Sequence, residues 1–303
     1  MLASQLEDWL ISARRRPLVM GVLNMTPDSF SDGGQFASPE VASEFALQMI
    51  DSGADWIDIG GESTRPGAMP VPAEVQIERI APIIKLVRRK AEVVLSIDTN
   101  LWPVAQIAIS AGANLVNDTS AGTDDPAMLP GVAAAGVPII LMHRPAPPAT
   151  MQAHAHYADV TAEVSRFLVL RRTAAQNVGV APHRILLDPG IGFGKTVDHN
   201  LTLLRDTAAL AAMGNPLVIG ASRKSFIGTV LHQPDSHRRI WGDAAIICWA
   251  AANGAAVVRV HDVEPLAQVL RMTCAVMANS HQGNPSGGRE EAAPSGSKKD
   301  IEL

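Results

Sequence analysis

The feature that most constrains this chain is an alternation, repeated eight times, between a short apolar run and a longer segment of helical pattern. The apolar runs are LVMGVL (18–23), WIDIG (56–60), VVLSID (93–98), LVND (115–118), VPIILMH (137–143), RILLD (184–188), PLVIG (216–220) and AVVRV (256–260). They lack the strict apolar–polar alternation of a strand with one wet face, so each reads as a strand buried on both sides. Helical patterns follow at 41–53, 73–90, 102–111, 156–177, 200–213, 223–231 with 242–253, and 263–277. A further one near 125–136 carries Pro130, which threatens to interrupt it. Residues 18–278 then divide into units of about 33 residues, the size of a βα repeat. The expected fold class is α/β, most economically a (β/α)8 barrel. A doubly wound open sheet would show the same alternation, and periodicity alone does not separate the two.

The ends read differently. Residues 3–12 predict a short lead-in helix, and Arg14-Arg15-Arg16 reads as a solvated approach to the first strand rather than an anion site. From Asn279 the chain is rich in Gly, Ser, Pro and charge, so a flexible tail is expected over 279–303. The expected organisation is a lead-in (1–17), one barrel domain (18–278) and the tail. With 47% apolar residues in 303, the chain has enough material for a large core. Lys plus Arg is 25 against 30 for Asp plus Glu, a net charge of -5 that argues against nucleic-acid and membrane-surface binding. It leaves room for an anionic small substrate held by a few focused cations. Cys248 and Cys274 are the only cysteines, too few for a disulfide scaffold or a cysteine zinc cluster. The first residues, MLASQLEDWLISARRRP, lack a signal-peptide apolar region, and no 18-residue apolar run occurs. A soluble, cytoplasmic protein is expected.

Polar residues gather at one end of the predicted strands: Asn24, Asp58, Asp98, Asn117, Asp118, His143, Asp188, Arg259 and His261. In a barrel this is the catalytic rim, where the βα loops converge. The first two loops, NMTPDSFSDGG (24–34) and GGESTRPGA (60–68), exceed what a βα connection needs and read as mobile covers over a ligand. DPGIGFGKT (188–196) resembles a phosphate loop but has Pro189 where the Walker pattern needs glycine. What it offers is Asp188 at a strand end, with Phe193 placed to stack on a flat ligand. In ASRKSFIG (221–228), Ser222 reads as the cap of a helix opening with Arg223-Lys224. Cations there oppose the helix dipole and suit an electron-rich ligand instead. Arg259 and His261 share one side of their strand, and with Arg65 they could form a pocket for phosphate or diphosphate.

The motifs in series resemble the dihydropteroate synthases, a pterin-binding TIM-barrel family. MGVLNMTPDSFSDGG (20–34), DIGGESTRPGA (58–68), SIDT (96–99), VND (116–118), LMH (141–143) with TMQ (150–152), LLDPGIGFGK (186–195), GASRKSFIG (220–228) and RVHDV (259–263) lie in family order over about residues 18–275. The resemblance implies a TIM barrel that joins 6-hydroxymethyl-7,8-dihydropterin diphosphate to 4-aminobenzoate in folate synthesis. It implies that Asp98, Asn117, Asp188 and Lys224 hold the pterin. Arg259, His261 and Asn24 would grip the diphosphate, Asn24 together with Mg²⁺. Phe30, Thr64, Arg65, Pro66, Phe193 and Ser222 would shape the 4-aminobenzoate pocket, with Thr64 and Arg65 serving either that pocket or the diphosphate. A homodimer through helices away from the mouth is implied as well. Two departures stand out: the proline-rich RPAPPA (144–149) with its extra cation, and Trp241 and Asp243 in IWGDAA (240–245), both expected to lie clear of the assigned residues. Two rival readings share part of the pattern, the methyltetrahydrofolate domain of corrinoid methyltransferases and a non-catalytic barrel. The first has no use for the TPDSF loop, the SRKS segment or the Arg259/His261 clamp. The second sits poorly with every expected position being filled.

Overall fold

Each apolar run becomes one parallel strand: β1 Leu18–Asn24, β2 Trp56–Gly60, β3 Val94–Asp98, β4 Leu115–Asp118, β5 Ile139–Met142, β6 Ile185–Asp188, β7 Leu217–Ile219 and β8 Ala255–Val260. The structure, a computed structural model, describes residues 1–25, 38–63, 65 and 67–279. Phe30, Thr64, Pro66, most of the first loop and the tail from residue 280 lie outside the described residues. Neighbouring strands pair in sequence order, and β1 closes on β8 in the register Leu18↔Val257 to Gly21↔Val260. That closure excludes the open sheet and makes the domain a (β/α)8 barrel.

The helices follow the sequence patterns closely. They are α1 Leu6–Ile11, α2 Pro39–Asp51, α3 Ala73–Lys90, α4 Trp102–Ala111, α5 Met128–Ala135, α6 Val160–Asn177, α7 Val197–Arg205, α8 Thr207–Ala211, α9 Ser225–Val230, α10 Ile240–Ala252 and α11 Val263–Asn279. Pro130 does not interrupt α5. It is the third residue of that helix, where the backbone N–H has no partner within the helix to lose.

Apolar side chains fill two layers. One large cluster lies between strands and helices, and includes Val19, Ile57, Leu95 and Val116. A second fills the barrel interior with Leu18, Met20, Trp56, Val94, Leu115, Ile140, Leu186, Val218 and Val257. These two sets are the two faces of the same strands, which is why the runs show no alternation.

The closed end of the barrel is plugged by α1, whose Leu6, Trp9 and Leu10 join the interior cluster. The Trp9 and Trp56 rings meet edge to face at 5.3 Å between centroids. Here the expectation of a merely solvated arginine run is corrected. Arg15 donates to the carbonyl oxygens of Trp9 (3.0 Å) and Leu10 (2.5 Å), and Arg16 forms a two-pronged pair with Asp55. Arg15 and Arg16 fasten the plug, while Arg14 is exposed as expected.

Candidate active site

The interior residues define a parity, because every second side chain of a strand points inward. Two residues beyond Trp56 comes Asp58, and two beyond Leu115 comes Asn117. Two beyond Leu186 comes Asp188, and two beyond Val257 comes Arg259. Asp98 is four beyond Val94, and His261 is four beyond Val257. Asn24, ending β1, has the same parity as Leu18 and Met20. The lower layer of the barrel is thus apolar and the upper layer polar, with one continuous mouth above it. Asp118 and His143 have the opposite parity and leave the group expected at the rim. Asp118 accepts from Ser120 N (2.7 Å), Ser120 Oγ (2.7 Å) and Gly122 N (2.6 Å), holding the turn after β4. His143 packs edge-on against Phe167 at 4.9 Å, and burial pushes its pKa down to about 3.

Arg259 ties the mouth together. Its Nε donates to Asp58 Oδ2 (2.7 Å) and its Nη2 to Asp98 Oδ2 (2.9 Å), while Asn117 Nδ2 donates to the same Asp58 oxygen (2.9 Å). Asp58 is fully buried, and its Oδ1 has no partner among the described residues. Burial and the neighbouring Asp58 charge raise the Asp98 pKa to about 7, against the opposing pull of Arg259. The anion pocket expected from Arg259, His261 and Arg65 is therefore only part of the arrangement, because two of the three guanidinium nitrogens already serve carboxylates. The sequence assigns Asp58 a place among the rim residues but no separate role. Its place at the rim was legible there, but its central position among four strands was not.

Across the mouth, Asp188 Oδ1 accepts from Gly190 N (2.7 Å). Burial raises the Asp188 pKa, opposed by that hydrogen bond and by Lys224, Arg259 and Lys195. Burial lowers the Lys224 pKa to about 7, opposed by Asp188. The Lys224 ammonium lies 4.2 Å from the Phe193 ring centroid and donates to Ile191 O.

The glycine-rich loop carrying Phe193 is built for close approach rather than phosphate. Gly190, Gly192 and Gly194 all have positive φ, at 67°, 83° and 57°. A Cβ at Gly190 would lie 1.9 Å from His143 O, and one at Gly192 would lie 2.4 Å from Lys224 Cδ. Lys195, to which the sequence assigned no role, is buried beneath the loop. Its Nζ donates to Gly190 O (2.9 Å) and Phe193 O (3.0 Å) and lies 3.1 Å from His143 Nδ1. Gly190→Ala should destabilise the fold by at least about 2 kcal/mol, from a left-handed alanine and a backbone clash. Urea denaturation measures this, and a loss within experimental error would mean the loop relaxes freely.

Two expectations for the segment after β7 are corrected. Ser222 does not cap a helix, because α9 begins only at Ser225 and Lys224 holds its cap position, where its side chain makes no capping bond. Arg223 adopts φ 61° and turns its side chain onto Asp262, with Nε–Oδ2 at 2.9 Å and Nη2–Oδ1 at 2.5 Å. It is no free cation at the rim. Asp243, expected clear of the site, touches it directly: Ser222 Oγ donates to Asp243 Oδ2 at 2.8 Å. Of the other departure, the extra cation Arg144 pairs with Asp124. Arg65 is exposed on the β2 loop, close enough for its charge to help depress the His261 pKa.

The family model described as "Pterin binding enzyme" matches residues 20–261, spanning all eight strands. The chain belongs to the pterin-binding enzyme family. Within that family it is 48% identical over 262 residues to the dihydropteroate synthase of Synechocystis sp., covering 86% of this chain and 91% of that one. It is also similar to the Xanthomonas albilineans dihydropteroate synthase solved with 4-aminobenzoic acid, at 43% identity and a TM-score of 0.81, covering 87% and 94% of the two chains. A structure of the Xanthomonas enzyme in complex with 7,8-dihydropteroate matches at 40% identity and a TM-score of 0.78, with the same coverage.

Proposed function

We propose that this barrel mouth acts as a dihydropteroate synthase, joining 6-hydroxymethyl-7,8-dihydropterin diphosphate to 4-aminobenzoate and releasing diphosphate as 7,8-dihydropteroate forms. The observation that carries the reading is the meeting, in one buried mouth, of Asp188, Asn117 and Asp98 with the cations Lys224 and Arg259. Those groups suit a flat heterocycle with donors on one edge and a polyanion on its side chain. Asp188 keeps Oδ2 for the amidine-like N–C–N edge of a pterin, since Gly190 N occupies Oδ1. Asn117 both donates and accepts, and Lys224 donates toward the ring carbonyl side. Asp98 joins them on the pterin.

Arg259 keeps Nη1 for the diphosphate, and His261 and Asn24 complete that end. The C–O bond breaks with its electron pair going to the diphosphate oxygen. The neutral arylamine nitrogen then forms the new C–N bond at the methylene carbon and gives up one of its two protons to water or the released diphosphate. Cations aimed at the departing oxygens favour the first step because charge grows there. Phe193, Ser222 and Arg65 line the side from which the amine arrives, together with Phe30, Thr64 and Pro66.

No group of three or more His, Cys, Asp or Glu side chains among the described residues could hold a metal ion. The donor set nonetheless fits Mg²⁺ in one specific way. Asn24 offers a single neutral oxygen at the end of β1, and such an ion takes its other ligands from diphosphate and water. When bound, it supplies positive charge to the leaving diphosphate. A discontinuous assay for dihydropteroate with purified protein, Mg²⁺ and both substrates tests the reading, and absence of turnover overturns it.

The reading includes a homodimer. Trp241 near the start of α10 is 80% exposed, and Met272 and Val276 on the adjacent α11 are 65% and 60% exposed. Trp241→Asp should convert a dimer to a monomer in sedimentation at micromolar concentration while leaving the fold intact. A wild-type monomer would remove the dimer from the proposal. No helix among the described residues is long and apolar enough to cross a membrane. A cytoplasmic location is part of the proposal, and there the free thiols of Cys248 and Cys274 would stay reduced.

A further inference from the structure

Asp243, Ser222 and His261 come from three different elements and form one directed chain of hydrogen bonds. Asp243 is buried on α10, and its carboxylate accepts from Ser222 Oγ at 2.8 Å and from Arg223 N at 3.1 Å to each oxygen. A carboxylate is acceptor-only, so it fixes the single Ser222 proton on itself. The Ser222 oxygen is left with its two lone pairs. One accepts the backbone N–H of His261 at 3.3 Å, and the other faces His261 Nδ1 at 3.2 Å. With the hydroxyl proton already spent on Asp243, that last contact is a hydrogen bond only if Nδ1 carries the proton.

We propose that Asp243 is a positioning residue which, acting through Ser222, holds His261 as the Nδ1–H tautomer with an unprotonated Nε2. The inference deepens the proposed function, because it assigns His261 a form that bears on the diphosphate. The charges that act on the ring are cations from three strands: Arg259 on β8, Arg223 and Lys224 after β7, and Arg65 after β2. Asp262 is engaged by Arg223, and Asp243 reaches the ring only through Ser222. Burial first, and then those cations, push the His261 pKa down to about 3, so the free protein holds the neutral ring. A neutral ring with a bare Nε2 turns a lone pair, not a donor, toward an approaching anion. Binding of diphosphate at this nitrogen then requires a proton at Nε2. Taking it breaks no existing bond, because the bond from Nδ1–H to Ser222 survives protonation. Diphosphate binding is thus coupled to proton uptake by His261, and Asp243 sets that coupling from outside the substrate pocket.

The tautomer is read directly by nitrogen NMR of protein carrying 15N-labelled histidine, with the His261 signals assigned by their loss in His261→Gln. Wild-type protein should show a protonated Nδ1 and an unprotonated Nε2. In Asp243→Ala the hydroxyl is released to donate to Nδ1, and the tautomer should switch to Nε2–H. A wild-type ring protonated at Nε2 overturns the proposal without any variant, and so does an unchanged tautomer in folded Asp243→Ala. Calorimetry with inorganic diphosphate, in two buffers of different ionisation enthalpy at one pH, supplies a second reading. Wild type should take up about one more proton per diphosphate bound than Asp243→Ala, in which a neutral ring already offers a donor. Equal uptake in the two proteins would overturn the coupling. The tautomer is measured without substrate. A protein with this tautomer but no dihydropteroate synthesis would therefore defeat the proposed function and leave the Asp243–Ser222–His261 arrangement standing.

Discussion

Arg259→Ala should slow cleavage of the pterin diphosphate by on the order of 10²–10³ and also lower the stability of the free protein, most of all at alkaline pH. The first effect follows from losing one preorganised donor where charge develops on the leaving group. Single-turnover cleavage measures it, and an unchanged rate would move the diphosphate away from Arg259. The second follows from the bonds that Arg259 makes without ligand. Its guanidinium is the ion-pair partner of both Asp58 and Asp98, and neither carboxylate is more than marginally exposed. Removing one member of a buried ion pair costs about 3–5 kcal/mol, because the charge left behind is unpaired.

The pH dependence has a definite sign. The Asp98 pKa stands at about 7 in the folded protein, above its ordinary 3.8, so the folded state binds a proton more tightly than the unfolded chain does. Stability from that proton is present at low pH and is lost as pH rises through about 7. Without Arg259 the folded pKa rises further, and at about pH 5.5 Asp98 escapes most of the penalty by protonating. As pH climbs past about 7 toward the variant's higher folded pKa, the penalty grows to its full size. The melting-temperature gap between wild type and Arg259→Ala should therefore widen from acid to alkaline pH. A gap independent of pH would mean that the mutation damages packing rather than charge balance.

Asp188→Asn should weaken pterin binding about 100-fold, or roughly 3 kcal/mol, with little change in the fold. The reason lies in Gly190. Its N–H already donates to Asp188 Oδ1 at 2.7 Å, so an asparagine must keep its carbonyl oxygen there. The amide NH₂ then occupies the place of Oδ2 and meets the ligand edge donor to donor. The alternative flip would set the NH₂ against Gly190 N, which is no better. Calorimetric titration with 6-hydroxymethylpterin is the measurement, and equal affinity in the two proteins would return Asp188 to a purely structural role.

The local properties of this chain were legible in its sequence. Strands buried on both faces show as unbroken apolar runs, and helices declare themselves by period and length. WIDIG, 73–90, 102–111 and LVND occupy their expected positions to the residue. The polar residues at strand ends could likewise be found, since a buried run that stops at Asp, Asn or Arg marks a rim. Which rim residues enter the mouth was not legible. That depends on parity relative to the barrel interior, and parity appears only once the inward set, from Leu18 to Val257, is known. Asp118 and His143 fell on the wrong side of it. The charge partners were hidden for a different reason. Arg259 meets Asp58 from 201 residues away, Arg223 meets Asp262 from 39, and Ser222 meets Asp243 from 21. No local pattern encodes such a pairing: closure of β8 on β1 creates the first, and the packing of β7, α10 and β8 creates the other two. The sequence by itself determined the elements and the kinds of side chain available. Closure of the barrel decided which charges neutralise one another, and so which remain for a ligand.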